Sequence, residues 1–177
     1  MDSQAFDALF DSFKYSAFRL ETLQHYAVAA EDARLTAFRE GLPRPERSTR
    51  TSPWLRRIAA TTVEGKSWSR VHIVEHPLSE YLRYELVSYV ESQAVGERIS
   101  VADRAPHPEL AGLRADFWLF DAGTDSAHAV LMHYDQGGAV VGREAVHDLD
   151  AVRGLDAARR LAEQYALPLN DYLACGV

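Results

Sequence analysis

One strand, one helix and a second strand follow each other without interruption in the middle of the chain, and this succession constrains the fold most. The segment SWSRVHIVEH alternates as strands do, with Val71 and Ile73 on one face and Arg70 and His72 on the other. A helix over 79–96 follows, and ERISVADR predicts the second strand. A β-α-β unit of this kind pairs its strands in parallel, with a right-handed crossover.

The remaining segments extend this unit into a larger sheet. ADFWLFDAG and AHAVLMHYDQGGAVVGREAV predict three more strands, the last two joined by a hairpin turn at 136–138. The sequence therefore predicts an α+β or α/β fold, with a single mixed β-sheet built around a β-α-β-β-β unit and flanked by N- and C-terminal helices. We expect one domain over 1–177. It has a helical and extended segment at about 1–65, a sheet core at about 66–147 and a C-terminal helix at about 148–173.

Capping signals place the helices that precede this unit. Asp2 or Ser3 begins a first helix whose aromatic side chains recur at helical spacing. The segment YSAFRLET predicts a strand, and AEDARLTAFREG predicts a short helix. Ser52 and Pro53 are typical of an N-cap and a first helical position, so we expect a further helix from there to about Glu64.

The stretch LPRPERSTRTSP between two of these helices predicts a mobile loop, because it is rich in proline and turn-forming residues. Arg44, Arg47 and Arg50 make it a local basic patch, which we interpret as solvated. The chain as a whole has a formal net charge of −7. Since non-specific nucleic-acid binding depends on excess positive charge, this balance argues against direct contact with nucleic acid.

The helix in HPLSEYLRYELVSYVE has one charged residue where an apolar one is expected. With about 100° between successive residues, its apolar arc, expected to face the sheet, consists of Leu82, Leu86, Val87, Tyr89, Val90 and Ala94. The opposite side, expected to face solvent or a partner, consists of Tyr81, Tyr84, Glu85, Ser88, Glu91 and Ser92. Arg83 falls inside the apolar arc. A buried arginine requires a carboxylate partner, and Asp116 and Asp121 are the candidates; a ligand-binding arginine is the alternative.

Further candidates lie near the ends of the predicted central strands. Asp121 follows FWLF and suits either a catalytic carboxylate or a turn before Ala122 and Gly123. His133 suits either a general base oriented by a carboxylate or a structural histidine. The candidate catalytic residues are Asp121, His133 and Glu85. The candidate ligand-binding residues are Arg83, Asp116, Trp118 and Tyr134.

Several common chemistries lack their usual signatures. The sequence contains no G-x-x-x-x-G-K-[ST], G-x-G-x-x-G, G-x-S-x-G or H-E-x-x-H motif, which removes the usual support for nucleotide-dependent, serine-hydrolase and zinc-protease functions. The single cysteine, Cys175, forms no internal disulfide or thiolate zinc cluster, and we predict no cofactor and no metal. No apolar run reaches the length of a membrane span, and the N-terminus lacks signal-peptide features. We therefore expect a cytoplasmic chain with no membrane partner.

The combination of AFRLET, PLSEYLRYEL, DFWLFD and MHYDQGG resembles an actinobacterial family, domain of unknown function 6879, abundant in Streptomyces and relatives. The resemblance covers most of the chain, roughly from Phe10 to Leu173. It implies that members are commonly encoded beside helix-turn-helix regulators, and it assigns no activity. The family signature comprises Arg83, Glu85, Asp116, Trp118, Asp121, His133 and Tyr134. The chain departs from the pattern at Ser92 and Ser100, where asparagine and arginine are expected. The strand order is also similar to half of a phospholipase-D-like sheet.

Three hypotheses for the function follow. The first is a cytoplasmic regulatory or protein-interaction module that acts with a separate helix-turn-helix regulator. The alternative is a small enzyme or ligand-binding protein with a pocket formed by Arg83, Trp118, Asp121 and His133, in which arginine holds an anion and tryptophan stacks. A third is a homodimer that uses the Tyr81 and Tyr84 side of the helix.

Overall fold

The computed structural model describes residues 1–176, and these contain six α-helices and a seven-stranded mixed sheet. The helices are α1 (Ser3–Ser12), α2 (Asp32–Arg39), α3 (Pro53–Val63), α4 (Glu80–Gln93), α5 (Leu149–Gln164) and α6 (Leu169–Ala174). The strands are β1 (Ser16–Glu21), β2 (Ser67–Val74), β3 (Glu97–Asp103), β4 (Asp116–Phe120), β5 (His128–Tyr134), β6 (Val140–Val146) and β7 (Leu167–Pro168). The predicted α+β class with one mixed sheet is confirmed.

The strand order is β6-β5-β4-β1-β2-β3-β7, so β1 lies in the middle of the sheet. β1, β2 and β3 are parallel, and the β2-α4-β3 segment is the predicted β-α-β unit. β4, β5 and β6 are antiparallel to their neighbours and continue the sheet beyond β1. The sheet thus extends outside the core expected at 66–147, because β1 comes from the N-terminal segment.

The helices begin where the capping residues are expected. The side chains of Asp2, Ser52, Ser79 and Asp148 accept backbone N–H groups at the starts of α1, α3, α4 and α5. Each such cap satisfies a donor that has no partner inside the helix, and its loss costs about 1 kcal/mol. Within residues 1–176, no helix is both long and apolar enough to cross a membrane.

The hairpin turn between β5 and β6 approaches the loop that follows β1. Gly138 has a φ of +82°, and a Cβ atom there would lie 2.5 Å from the carbonyl oxygen of His25. Only glycine fits this close approach. The carbonyl of Gly138 accepts the N–H of Ala27 at 3.0 Å. The turn therefore fixes the 22–31 loop above the sheet.

The two faces of the sheet carry different side chains. The face against α5 is apolar, and its buried cluster includes Phe18, Leu20, Val71, Ile73, Phe117 and Leu119. Each fully buried side chain of this kind contributes about 1.5–3 kcal/mol relative to exposure, so this side is a conventional core. The opposite face, covered by α1, α3 and α4, is aromatic at one end but charged at its centre.

Candidate functional site

A row of charged side chains crosses the centre of the sheet on the face opposite α5. Arg19 Nη2 lies 2.8 Å from Asp116 Oδ2, and its Nε lies 3.4 Å from Glu21 Oε1. Arg70 Nη1 lies 2.8 Å from Glu21 Oε2, and its Nε lies 3.0 Å from Glu97 Oε1. We call these five side chains, which belong to β1, β2, β3 and β4, the ionic row. Their burial is costly in free energy, and a sheet that serves only as a scaffold does not need it.

Three tyrosine hydroxyls make further hydrogen bonds to the ionic row. Tyr26 donates to Asp116 at 2.5 Å, and Tyr89 donates to Glu21 at 2.7 Å. Tyr134 accepts from Arg19 Nη2 at 2.8 Å. These three tyrosines come from the 22–31 loop, α4 and β5, so the row joins three segments that are distant in the sequence.

The environment shifts the pKa of Arg19 and of Glu21 in the directions that keep these two groups ionised. Burial disfavours the guanidinium of Arg19, but the carboxylates of Asp116 and Glu21 more than offset it and raise the pKa. Burial raises the pKa of Glu21, and the positive charges of Arg70 and Arg19 lower it well below its ordinary range. Opposite charges at hydrogen-bonding distance therefore outweigh desolvation here.

The face that α4 turns to the sheet differs from the predicted one. Tyr81, Glu85 and Ser88 are buried, whereas Arg83 and Val87 are exposed. The prediction that Arg83 lies buried among apolar residues is therefore wrong. The buried arc is rotated by about 120° from the predicted one, at 100° per residue. The physical reason is that the segment after β1 covers the neighbouring side, where Tyr81 and Tyr84 pack with Tyr26 and Leu35, while Leu82, Leu86 and Tyr89 remain buried in an apolar cluster with the sheet.

The burial of this side also affects two further expectations. Tyr81 and Tyr84 are 3% and 1% exposed, and they pack with Tyr26 and Leu35. The Tyr81 and Tyr84 side of α4 is therefore not available as a dimer surface. Asp116 pairs with Arg19 and not with Arg83, which corrects the partner expected for that carboxylate.

A groove runs above the ionic row between α4 and the loops. Its inner lobe has a volume of about 320 Å³, with Arg19 and Trp118 from the sheet, Tyr26 from the 22–31 loop and Tyr81 from α4 among its lining residues. Its outer lobe, of about 400 Å³, lies toward α2 and the start of α3. The two lobes are adjacent and share the lining residues Val28, Glu31, Trp54, Arg70 and Glu85.

Two residues of the inner lobe have hydrogen-bonding atoms without partners. Arg19 Nη1 and Glu85 Oε2 are buried and make no hydrogen bond in the described residues. Both residues line the inner lobe. A buried polar atom left without a partner costs about 1–3 kcal/mol, so a bound group that pairs with these atoms recovers that free energy.

Burial raises the pKa of the Glu85 carboxyl well above its ordinary value of 4.5, and the negative charges of Glu21 and Glu31 raise it further, against the opposing effect of Arg70. Glu85 therefore keeps its proton to a higher pH than a solvated glutamate does. As a carboxylic acid it offers one O–H donor together with an acceptor oxygen.

We expect a Glu85→Gln variant to lose less stability than the wild type as the pH rises from about 5 to about 9. The folded-state pKa of Glu85 lies above the unfolded-state pKa. Its contribution to stability is therefore complete below the unfolded-state pKa and is lost as the pH rises through the folded-state pKa. Glutamine does not ionise in this range. Guanidinium unfolding at a series of pH values measures the difference, with Arg83→Gln on the exposed side of α4 as the control. Identical pH profiles for Glu85→Gln and the wild type would contradict the expectation.

Asp121 supports the backbone and does not reach the groove. Its carboxylate accepts the N–H groups of Lys14, Tyr15 and Ser16 at 2.6–3.1 Å. Its own φ of 52° lies in the left-handed region, which aspartate tolerates better than most residues. The carboxylate thus joins the end of β4 to the start of β1, a role closer to the predicted turn former than to a catalytic group.

His133 lies apart from both Asp121 and Arg83. Its side chain is exposed, with Nε2 3.2 Å from Glu144 Oε2. In the antiparallel register, Met132 pairs with Asp116 and His128 pairs with Phe120, so His133 and Asp121 lie beyond opposite ends of β4, about 20 Å apart. The structure therefore does not bring Arg83, Asp121 and His133 together. Of the expected pocket residues, Trp118 lines the groove, as do Tyr134 and Glu85. In residues 1–176 no group of three or more His, Cys, Asp or Glu side chains is arranged to hold a metal.

Sequence reasoning missed Arg19, Glu21 and Arg70 as site residues. The signal for them is the alternation in AFRLE and SRVHI, where charged residues occupy every second position. Such alternation usually indicates a solvated sheet face. In a central parallel strand with helices on both faces, the same pattern indicates buried charge.

The fold and the groove define an α+β protein with a polar groove on one face of its central sheet. The chain belongs to the family described as Domain of unknown function (DUF6879), whose family model matches residues 4–174. A search of curated proteins finds no match to the chain. Membership confirms the family resemblance that motifs such as PLSEYLRYEL and DFWLFD indicate.

Proposed function

We propose that this chain is a ligand-binding regulatory module whose groove binds a small planar molecule. One observation carries the proposal: Arg19 and Glu85, which line the inner lobe, each have one buried polar atom, Nη1 and Oε2, without a hydrogen-bond partner among the described residues. Binding sites for small molecules are concave, largely apolar, and contain a few polar groups of this kind. The inner lobe fits this description in size and in composition.

The lining residues define the chemistry of the ligand. Trp54, Trp118, Tyr26 and Tyr81 favour an aromatic or otherwise flat ring, because aromatic side chains stack on such rings or meet them edge to face. Arg19 Nη1 requires an acceptor such as a carbonyl or carboxylate oxygen. The carboxylic acid of Glu85 matches a ring edge that has both a donor and an acceptor.

The regulatory part of the proposal depends on the resemblance to proteins encoded beside helix-turn-helix regulators. α4 suits the transfer of a signal, because its inward side lines the groove while Val87 and Val90 on its outward side are 36% and 46% exposed. The expected partner is a separate helix-turn-helix regulator. Complex formation between the purified chain and such a regulator encoded beside it tests this part, and no association at micromolar concentrations contradicts it.

A Val28→Trp variant is expected to weaken ligand binding at least about tenfold without unfolding the protein. Val28 is 40% exposed and lines both lobes, so an indole there fills the groove from the solvent side. The probes are benzoate, indole-3-carboxylate, adenosine and guanosine, with binding measured by ligand-observed NMR; a tenfold change corresponds to about 1.4 kcal/mol.

The control for this experiment is Val63→Trp. Val63 is 90% exposed on α3 and does not line the groove, so this variant should bind as the wild type does. If none of the four probes binds, or if Val28→Trp binds them as tightly as Val63→Trp, the groove is not a ligand site of the proposed kind.

A further inference from the structure

The outer lobe of the groove differs from the inner lobe in its chemistry. Arg34 from α2 and Arg47 from the loop before α3 line it together with Ser88 and Ser92 of α4. It has fewer aromatic side chains than the inner lobe and more groups that donate hydrogen bonds. The outer lobe therefore suits a polar part of a ligand, in continuity with the ring in the inner lobe.

Arg34 is a buried arginine whose guanidinium has one nitrogen, Nε, without a hydrogen-bond partner among the described residues. It is 6% exposed, its Nη2 lies 2.5 Å from Glu91 Oε1 and its Nη1 donates to the carbonyl of Pro45. The guanidinium is thus held in place beside the lobe by two fixed acceptors.

Three arginines share one carboxylate beside this lobe. Arg34, Arg44 and Arg47 lie 2.5, 3.8 and 3.4 Å from the carboxylate oxygens of Glu91. Arg44 also donates to Ser88 at 2.8 Å. The expected solvated loop is therefore a segment packed on α4, and its cations exceed the carboxylate that they contact. Proteins recognise phosphate with arginine clusters of this kind.

Two further features bear on the charge of the lobe. α3 begins at Pro53, which lines the lobe, so the positive end of the helix dipole faces the same space. The acidic residues that line the lobe are Glu31, Glu46 and Glu85. Glu46 is paired with Arg50, and burial raises the pKa of both Glu31 and Glu85, which weakens their repulsion of an anion.

We infer that the outer lobe binds a phosphate group, so that the ligand of the groove is a phosphate ester of a planar ring, of the mononucleotide class. This inference rests on the proposed function, since it places the ring in the inner lobe. Arg34 and Arg47 bind the phosphate, the hydroxyl of Ser92 donates to one of its oxygens, and Arg19 and Glu85 bind the ring edge.

Calorimetric titration of the full chain with adenosine, guanosine, their 5′-monophosphates and inorganic phosphate tests the inference. We expect at least one monophosphate to bind about tenfold or more tightly than its nucleoside, as charge-assisted hydrogen bonds require. Arg47→Gln should weaken binding of the monophosphate about tenfold and leave nucleoside binding unchanged. Arg47→Lys should weaken monophosphate binding less than Arg47→Gln does. Arg83→Gln, which removes an exposed arginine of α4 outside the groove, is the matched control and should bind all probes as the wild type does.

The outcomes separate this inference from the proposed function. If the nucleosides bind as tightly as their monophosphates and Val28→Trp weakens both, the groove binds rings, and the phosphate site is overturned. If inorganic phosphate binds as tightly as the monophosphates, the ring contributes nothing to binding, and the inference that the ligand is a phosphate ester of a planar ring is overturned. If Arg47→Gln and Arg83→Gln have equal effects on monophosphate binding, the outer lobe does not hold the phosphate. Absence of binding by every probe overturns both proposals.

Discussion

Replacing Arg19 by methionine is expected to lower the free energy of unfolding by about 3–5 kcal/mol, the usual cost of breaking a buried ion pair from one side. Methionine approximates the length of the side chain but leaves Asp116 without the cation that it contacts and Glu21 with Arg70 alone. Arg19 is 3% exposed, so water does not replace the lost bonds. The free energy of unfolding of Arg19→Lys should lie between those of the wild type and Arg19→Met, because lysine retains the charge but not the planar arrangement of donors.

Equilibrium unfolding in guanidinium chloride measures this difference. Arg83→Met is the control, since Arg83 is an exposed arginine on α4 and such substitutions change stability by less than about 0.5 kcal/mol. If Arg19→Met and Arg83→Met unfold at the same denaturant concentration, the ionic row does not contribute to the stability of the fold in the way described.

An Asp121→Ala variant is expected to lose about 3 kcal/mol of stability, with a fall in Tm of about 6–12 °C for a domain of this size. The substitution leaves the N–H groups of Lys14, Tyr15 and Ser16 without their acceptor. It also places alanine at a φ of 52°, which alanine tolerates less well than aspartate. Asp121→Asn keeps one acceptor oxygen and should lose less.

Thermal unfolding followed by circular dichroism provides the measurement. Asp125→Ala lies in the same turn and is the matched control, because Asp125 is exposed and makes no hydrogen bond to the 14–16 segment. Equal Tm values for Asp121→Ala and Asp125→Ala would show that the carboxylate does not hold β1 to the end of β4.

The helices and strands of the fold could be predicted from local sequence signals. The caps at Ser52 and Ser79 and the hairpin turn at 136–138 depend on residues close together in the chain, and each lies where it was predicted. The parallel β2-α4-β3 unit was also predictable, because a strand, a helix and a strand in succession leave few arrangements.

The candidate site was harder to predict from the sequence than the fold, and α4 illustrates the reason. Hydropathy assigns a buried side to a helix as though the surface beneath it were apolar. The segment between β1 and α3 covers the polar side of α4, since Tyr26 and Leu35 pack with Tyr84 and Arg44 donates to Ser88, and Val90 faces solvent. The burial of this side of α4 thus depends on residues that are distant in the sequence.

The ionic row itself depends on pairings that are distant in the sequence. Arg19 and Asp116 are 97 residues apart, and no local pattern identifies one as the partner of the other. Asp116 is one of two carboxylates predicted to pair with a buried arginine, but the predicted arginine is Arg83 and not Arg19. Once the register places β1 between β2 and β4, the pairing follows directly.

The central position of β1 has a consequence for synthesis on the ribosome. β1 is translated early, but the strands on both its sides are translated later, and the carboxylate that pairs with Arg19 follows after 97 further residues. Until β2 has emerged both edges of β1 are open to other chains, and the edge that pairs with β4 stays open until β4 follows. The nascent chain is therefore most exposed to aggregation during the first two thirds of translation, when chaperone protection is most valuable.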